Sequence, residues 1–139
     1  MDDSGTAMQD VIRTLLERAV SIHGHLGPFL VLGLRMALLA KEVLGDVPCR
    51  CEVKTLNKKP FICSVDGMKA VMGCNGIDVE NGEGLAAVFS AADGREVSIE
   101  VRDSTLKKNA KVTWEMCEKY AHDVMVSKDE ELFHWSEFQ

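Results

Sequence analysis

Apolar residues recur at helical spacing in the first third of the chain. Between residues 5 and 22 they stand three and four positions apart, with charged residues between them, which predicts an amphipathic helix. A second helix is predicted from about Pro28 to Leu44, with Gly45 as a left-handed stop. This second helix is apolar nearly all round, so we expect it to be buried in the core or at a subunit contact.

Alternation with a period of two predicts strands in the middle of the chain. The segment Cys49–Leu56 alternates apolar and charged residues. The segments Leu85–Ser90 and Glu96–Arg102 flank a turn at residues 92–95, and the second has one apolar and one polar face. These two segments therefore predict an antiparallel hairpin.

Three further segments complete the expected architecture. We predict helices at residues 63–73 and at Thr105–Ala121, and a short helix or arm at Ser127–Phe138. The arm carries aromatic side chains that need an apolar partner, which favours a homodimer. No repeat or linker divides residues 1–139, so the predicted fold class is α+β. We expect a single domain with N-terminal helices packed on a small, mainly antiparallel sheet.

Charge and cysteine usage narrow the function classes. The net charge of −6 argues against a nucleic-acid-binding surface. The longest apolar run, residues 26–40, contains Arg35 and is shorter than the roughly 20 residues that a bilayer span needs. The acidic N-terminus does not resemble a signal peptide, so we expect a cytoplasmic protein. Five cysteines is an odd count, which favours free thiols over a disulfide framework.

Two segments carry the residue types of a functional site. Two of the four histidines, His23 and His25, flank Gly24 just before the second helix. Cys63 and Asp66 lie three residues apart at the start of the predicted helix 63–73, where the helix dipole favours a thiolate. Imidazole, thiolate and carboxylate are the usual ligands of zinc. The alternative is that the histidines bond only backbone carbonyls, that the thiol packs in the core and that the carboxylate caps its helix.

The remaining cysteines fit structural roles better. Cys49 and Cys51 stand two apart on a strand and so point to opposite faces, which makes joint metal ligation awkward. Cys117 stands in the middle of a predicted helix, so we interpret it as a packed small hydrophobe. His122 and His134 are interpreted as surface groups.

The two motif segments together resemble the FmdE family of formylmethanofuran dehydrogenase subunits. The first is residues 23–36, beginning His23-Gly24-His25-Leu26-Gly27-Pro28, and the second is Cys-x-x-Asp-Gly at residues 63–67, continuing to Gly-Cys at residues 73–74. The resemblance covers nearly the whole chain. It implies an α+β core that forms a dimer and a groove that takes a small-molecule ligand. It also implies a divalent metal, with zinc as the first choice, and assigns these roles to His23, His25, Cys63, Asp66 and Cys74.

The chain also departs from the family pattern. Many members have Cys where this chain has Gly27 and Gly where it has Phe29, so no thiol is available at position 27. Many have a lysine-containing loop after the second Cys, which here reads Asn-Gly-Ile-Asp-Val-Glu-Asn-Gly at residues 75–82. We expect a core-only form, without the cysteine-rich zinc ribbon that some members carry.

Three functions follow as alternatives. The first is a metal-binding accessory protein of one-carbon metabolism, with His23, His25, Cys63 and Cys74 as ligands. The second is a small enzyme with Cys63 as nucleophile, His25 as base and Asp66 as the group that orients the base. The third is a thiol-redox protein that uses Cys63 and Cys74. No recognised motif for molybdopterin is present, so we do not expect the catalytic subunit of the dehydrogenase.

Overall fold

The secondary structure combines helices with one sheet. The structure, a computed structural model, describes residues 4–73 and 75–138, with side chains described from Asp10 onward. Within these residues the helices are α1 (Ser4–His23), α2 (Pro28–Leu44), α3 (Cys63–Met72), α4 (Asp103–Ala110), α5 (Cys117–Val126) and α6 (Asp129–Leu132). The strands are β1 (Arg50–Thr55), β2 (Ile77–Asn81), β3 (Leu85–Ser90), β4 (Glu96–Val101) and β5 (Phe133–Phe138). None of the helices in the described residues is long and apolar enough to cross a membrane.

The five strands form one sheet in the order β2-β1-β3-β4-β5. The β1–β2 pair is parallel and is connected through α3, whereas the other three pairs are antiparallel. Alternate residues of β1, β3 and β4 are buried, so one face of the sheet faces the core. The predicted α+β class and the mainly antiparallel sheet are confirmed.

The apolar helix α2 is the centre of the core. It begins with Pro28 and ends at Gly45, whose φ of +81° is left-handed, as the sequence predicts. Most of its side chains are buried by other elements of the same chain. A second subunit is therefore not needed to cover α2, and the homodimer stays a prediction.

Two glycines let α2 and α3 approach closely. A Cβ added at Gly33 would lie 1.8 Å from the carbonyl oxygen of Ser64, and one added at Gly67 would lie 2.0 Å from the carbonyl oxygen of Leu30. Any side chain at either position would therefore separate the two helices. This contact fixes the start of α3, where Cys63 and Asp66 stand.

The predicted helix Thr105–Ala121 is wrong in its continuity. The chain forms α4, then a 3-10 turn at Trp114–Met116, and then α5. Thr113 has an extended backbone with φ −82° and ψ 163°. Val112 and Thr113 are both β-branched, which disfavours helix, and the break redirects the chain so that α5 packs on α2.

The segment Ser127–Phe138 is also different from the expected short helix or arm. Only Asp129–Leu132 is helical, and Phe133–Phe138 pairs with β4 as an edge strand. Phe133 is buried in the core of its own chain. The strand β2 was not predicted, although Ile77 and Val79 alternate with acidic residues.

Candidate functional site

The histidine segment lies in the turn between α1 and α2. His23 is the last residue of α1, and Gly24 has a left-handed φ of +108°, which turns the chain. The rings of His23 and His25 converge, with centroids 4.8 Å apart. The ring of His25 also lies 4.9 Å from that of Trp114, centroid to centroid. The sequence placed both rings at the start of α2, whereas His23 belongs to α1.

A carboxylate from α3 fixes the orientation of the His23 ring. His23 Nδ1 donates a hydrogen bond to Asp66 Oδ2 over 2.8 Å. Lys69 Nζ lies 3.6 Å from the other oxygen of the same carboxylate. Because Asp66 accepts the Nδ1 proton, the neutral ring presents a lone pair at Nε2. The orienting role expected for Asp66 is therefore directed at His23 rather than at His25.

His23 Nε2 is an unpartnered buried nitrogen. Among the described residues it has no hydrogen-bond partner, and the His23 side chain is only 8% exposed. Buried polar atoms are nearly always paired, so such an atom calls for an explanation. A metal ion, a substrate proton or a bound ligand would each supply the missing partner.

Two cavities share His23 and Cys63 in their walls. The larger has a volume of about 570 Å³ and lies between α3, the loop after β1 and the end of β2. Its other lining residues include Asn57, Lys59, Asp66, Lys69 and Asn81. The smaller, about 60 Å³, lies behind the first and is also lined by His25, Asn109 and Cys117. The structure thus brings together His23, His25, Cys63 and Asp66, as the sequence predicts.

Burial controls the protonation of the two groups nearest His23. It raises the pKa of the Cys63 thiol, and the charge of Lys59 opposes that rise. It lowers the pKa of His25, and the charges of His23 and Lys59 lower it further. Without a metal ion, Cys63 is therefore held as the thiol and His25 as the neutral imidazole. Cys51, whose pKa burial raises to about 12, is an inert core thiol.

The donor chemistry fits a divalent metal in part. His23 Nε2 is a free nitrogen donor and Cys63 a sulfur donor, which are two ligand types that zinc prefers. Within residues 4–73 and 75–138, no three His, Cys, Asp or Glu side chains are arranged to hold a metal ion. Cys74, the expected further ligand, lies outside the described residues. Gly73, its chain neighbour, follows the ten-residue α3, so it lies about 15 Å from Cys63.

Sequence reasoning missed several residues around the site. Lys59 and Lys69 line the larger cavity, while Cys117, interpreted as a packing residue, lines the smaller one. Trp114 is 74% exposed although it stacks on His25. The spacing of Lys69, three residues after Asp66, was a usable signal because both stand on one face of α3. Cys117 and Trp114 have no such local signal, since the break between α4 and α5 places them.

The fold and the site define a small α+β protein with a cavity lined by histidine, cysteine and aspartate. The family model described as FmdE, molybdenum formylmethanofuran dehydrogenase operon, matches residues 22–134. The chain therefore belongs to the FmdE family. The matched range contains every described residue of the site, and the resemblance drawn from the two motifs is confirmed. A comparison with curated proteins finds no match.

Proposed function

We propose that this chain is a metal-binding accessory protein of the FmdE family. A divalent ion, with zinc as the first choice, is bound by His23 Nε2 and the Cys63 thiolate, and Asp66 orients the His23 ring from behind. The observation that carries this proposal is the buried, unpartnered Nε2 of a histidine whose Nδ1 is already held by a carboxylate. That arrangement is the usual support of a metal-ligating histidine.

The raised pKa of Cys63 is consistent with this function. A buried thiol has no stabilising charge for its thiolate, and a divalent ion supplies that charge and displaces the proton. His25 stays neutral and stacks beside His23, so it is close to the ion without adding a positive charge. With two protein donors among the described residues, the ion retains open positions for a bound ligand.

A small Cys/His enzyme is the second candidate function. The 2.8 Å contact between Asp66 and His23 favours it, because a carboxylate that orients an imidazole is also a general-base arrangement. The base in that case is His23 rather than the expected His25. The raised pKa of Cys63 weighs against a resting thiolate nucleophile, so we rank this function below metal binding.

The thiol-redox alternative receives less support. The helix α3 puts about 15 Å between Cys63 and Gly73. Disulfide-bonded cysteines have their Cα atoms within about 7 Å of each other. A bond from Cys63 to the residue after Gly73 would therefore require α3 to unwind.

Elemental analysis tests the proposed function. Protein purified without a metal-binding tag or chelator, equilibrated with zinc and gel-filtered, is expected to retain one zinc per chain. His23→Gln and Cys63→Ser are expected to lose it. The matched controls are His122→Gln and Cys49→Ser, which change exposed residues away from both cavities and should keep the metal. Metal-free wild-type protein that is rapidly alkylated at Cys63 at neutral pH would favour the enzyme instead.

A further inference from the structure

We propose that the larger cavity binds a small organic anion, with a carboxylate as its defining group, and that Lys59 and Lys69 are its charge partners. The proposal names the ligand class of the proposed metal site. It rests on the proposed function only where the anion also occupies an open position on the metal. The lysine contacts do not require the metal.

The position of the cavity is the first argument. It opens where the parallel strands β1 and β2 both end, with Asn57 just after β1 and Asn81 at the end of β2. The carboxyl ends of parallel strands joined by a helix are where such folds bind ligands. A volume of about 570 Å³ is within the range of small-molecule sites.

The charge balance of the cavity wall is the second argument. The chain as a whole carries a net charge of −6, yet the wall contains two lysines and one carboxylate. The carboxylate of Asp66 is already shared by His23 and Lys69. Lys59 forms no ion pair with any described residue, although its charge acts on both His25 and Cys63. A divalent ion with one thiolate would make the wall more positive still.

Backbone groups do not supply the contact instead. The first N–H groups of α3, from Cys63 to Val65, donate to the carbonyl oxygens of residues 60–62. The helix N-terminus therefore has few free donors, and an anion must be bound by side chains. The Asn57 and Asn81 amides at the rim are suited to the polar remainder of the ligand.

Benzoate and its neutral isostere benzamide test the proposal on metal-free protein. We expect benzoate to bind saturably, with backbone amide shifts in the NMR spectrum concentrated at residues 57–69 and 79–81, and benzamide not to bind. Lys59→Gln is expected to weaken benzoate binding about tenfold, ~1.4 kcal/mol. The matched control is Lys58→Gln, an exposed neighbour that does not line the cavity.

The results that overturn the proposal are equal binding of benzoate and benzamide, equal loss in Lys58→Gln and Lys59→Gln, or shifts located elsewhere. Thermal unfolding of the variants confirms that they fold. Repeating the titration with zinc separates this proposal from the proposed function. If the protein binds no zinc but Lys59-dependent benzoate binding persists, only the metal function fails. If zinc binds but benzoate does not, only the anion site fails.

Discussion

Gly33 and Gly67 make a sharp prediction about how the site is held. In an open helix, Gly→Ala stabilises by about 1 kcal/mol, because alanine is the better helix former. At Gly33 the added Cβ would lie 1.8 Å from the Ser64 carbonyl oxygen, and such contacts are essentially never shorter than 3.0 Å. The backbones of α2 and α3 would have to separate by at least about 1.2 Å.

The expected cost of Gly33→Ala follows from this geometry. Overpacking of a well-packed core costs typically 1–3 kcal/mol, and a clash with backbone on the opposite helix belongs at the upper end. We therefore expect a loss of about 3 kcal/mol in the free energy of unfolding, which lowers the melting temperature by roughly 10 °C. Urea unfolding monitored by circular dichroism measures the change.

Gly27→Ala serves as the control for Gly33→Ala. Gly27 has an extended backbone, and a Cβ there would come no closer than 3.5 Å, to His25 Nε2. We expect a change within about 1 kcal/mol, since only N-cap preference is affected. If Gly33→Ala is as stable as the wild type, the close contact of α2 with α3 is wrong, and with it the placement of Cys63 and Asp66.

Three more predictions concern individual side chains. The Arg35 guanidinium donates to the carbonyl oxygens of residues 124, 125 and 127 and to Asp129, so Arg35→Met should lose about 3 kcal/mol of stability in urea unfolding, and a neutral result would contradict this capping role. Burial lowers the pKa of His25, so the unfolded chain binds more protons and stability should fall as the pH drops below about 6.5. His25→Gln should flatten that decline, and an unchanged pH profile would count against it. In metal-free protein, iodoacetamide should modify exposed Cys49 before buried Cys63, which peptide mass spectrometry tests, and the reverse order would contradict the raised pKa of Cys63.

The parts of the fold that sequence could predict are those with local patterns. The helix Pro28–Leu44 has a proline at its start, a glycine just after its end and an unbroken apolar surface, and all three signals agree with the structure. The hairpin of β3 and β4 likewise has alternation and a turn. Edge strand β5 has the same alternation, but its aromatic residues favoured a helix or arm until pairing with β4 placed Phe133 in the core.

The candidate site was predictable in its members but not in its pairing. Spacing alone brought Cys63 and Asp66 to one face of a helix and put His23 beside His25. Only the packing of α1 against α3 decides that Asp66 contacts His23, and only the break after α4 brings Trp114 against His25. Contacts between residues more than 40 positions apart carry no local signal.

Cobalt(II) titration of metal-free protein tests the central claim most directly. A cysteine thiolate bound to cobalt gives a charge-transfer absorption band, which reports the sulfur ligand itself. We predict a band that saturates at one equivalent in the wild type and in Cys49→Ser, is lost in Cys63→Ser and is weakened in His23→Gln. A band that persists in Cys63→Ser, or its absence from the wild type, would contradict metal binding by Cys63 and His23.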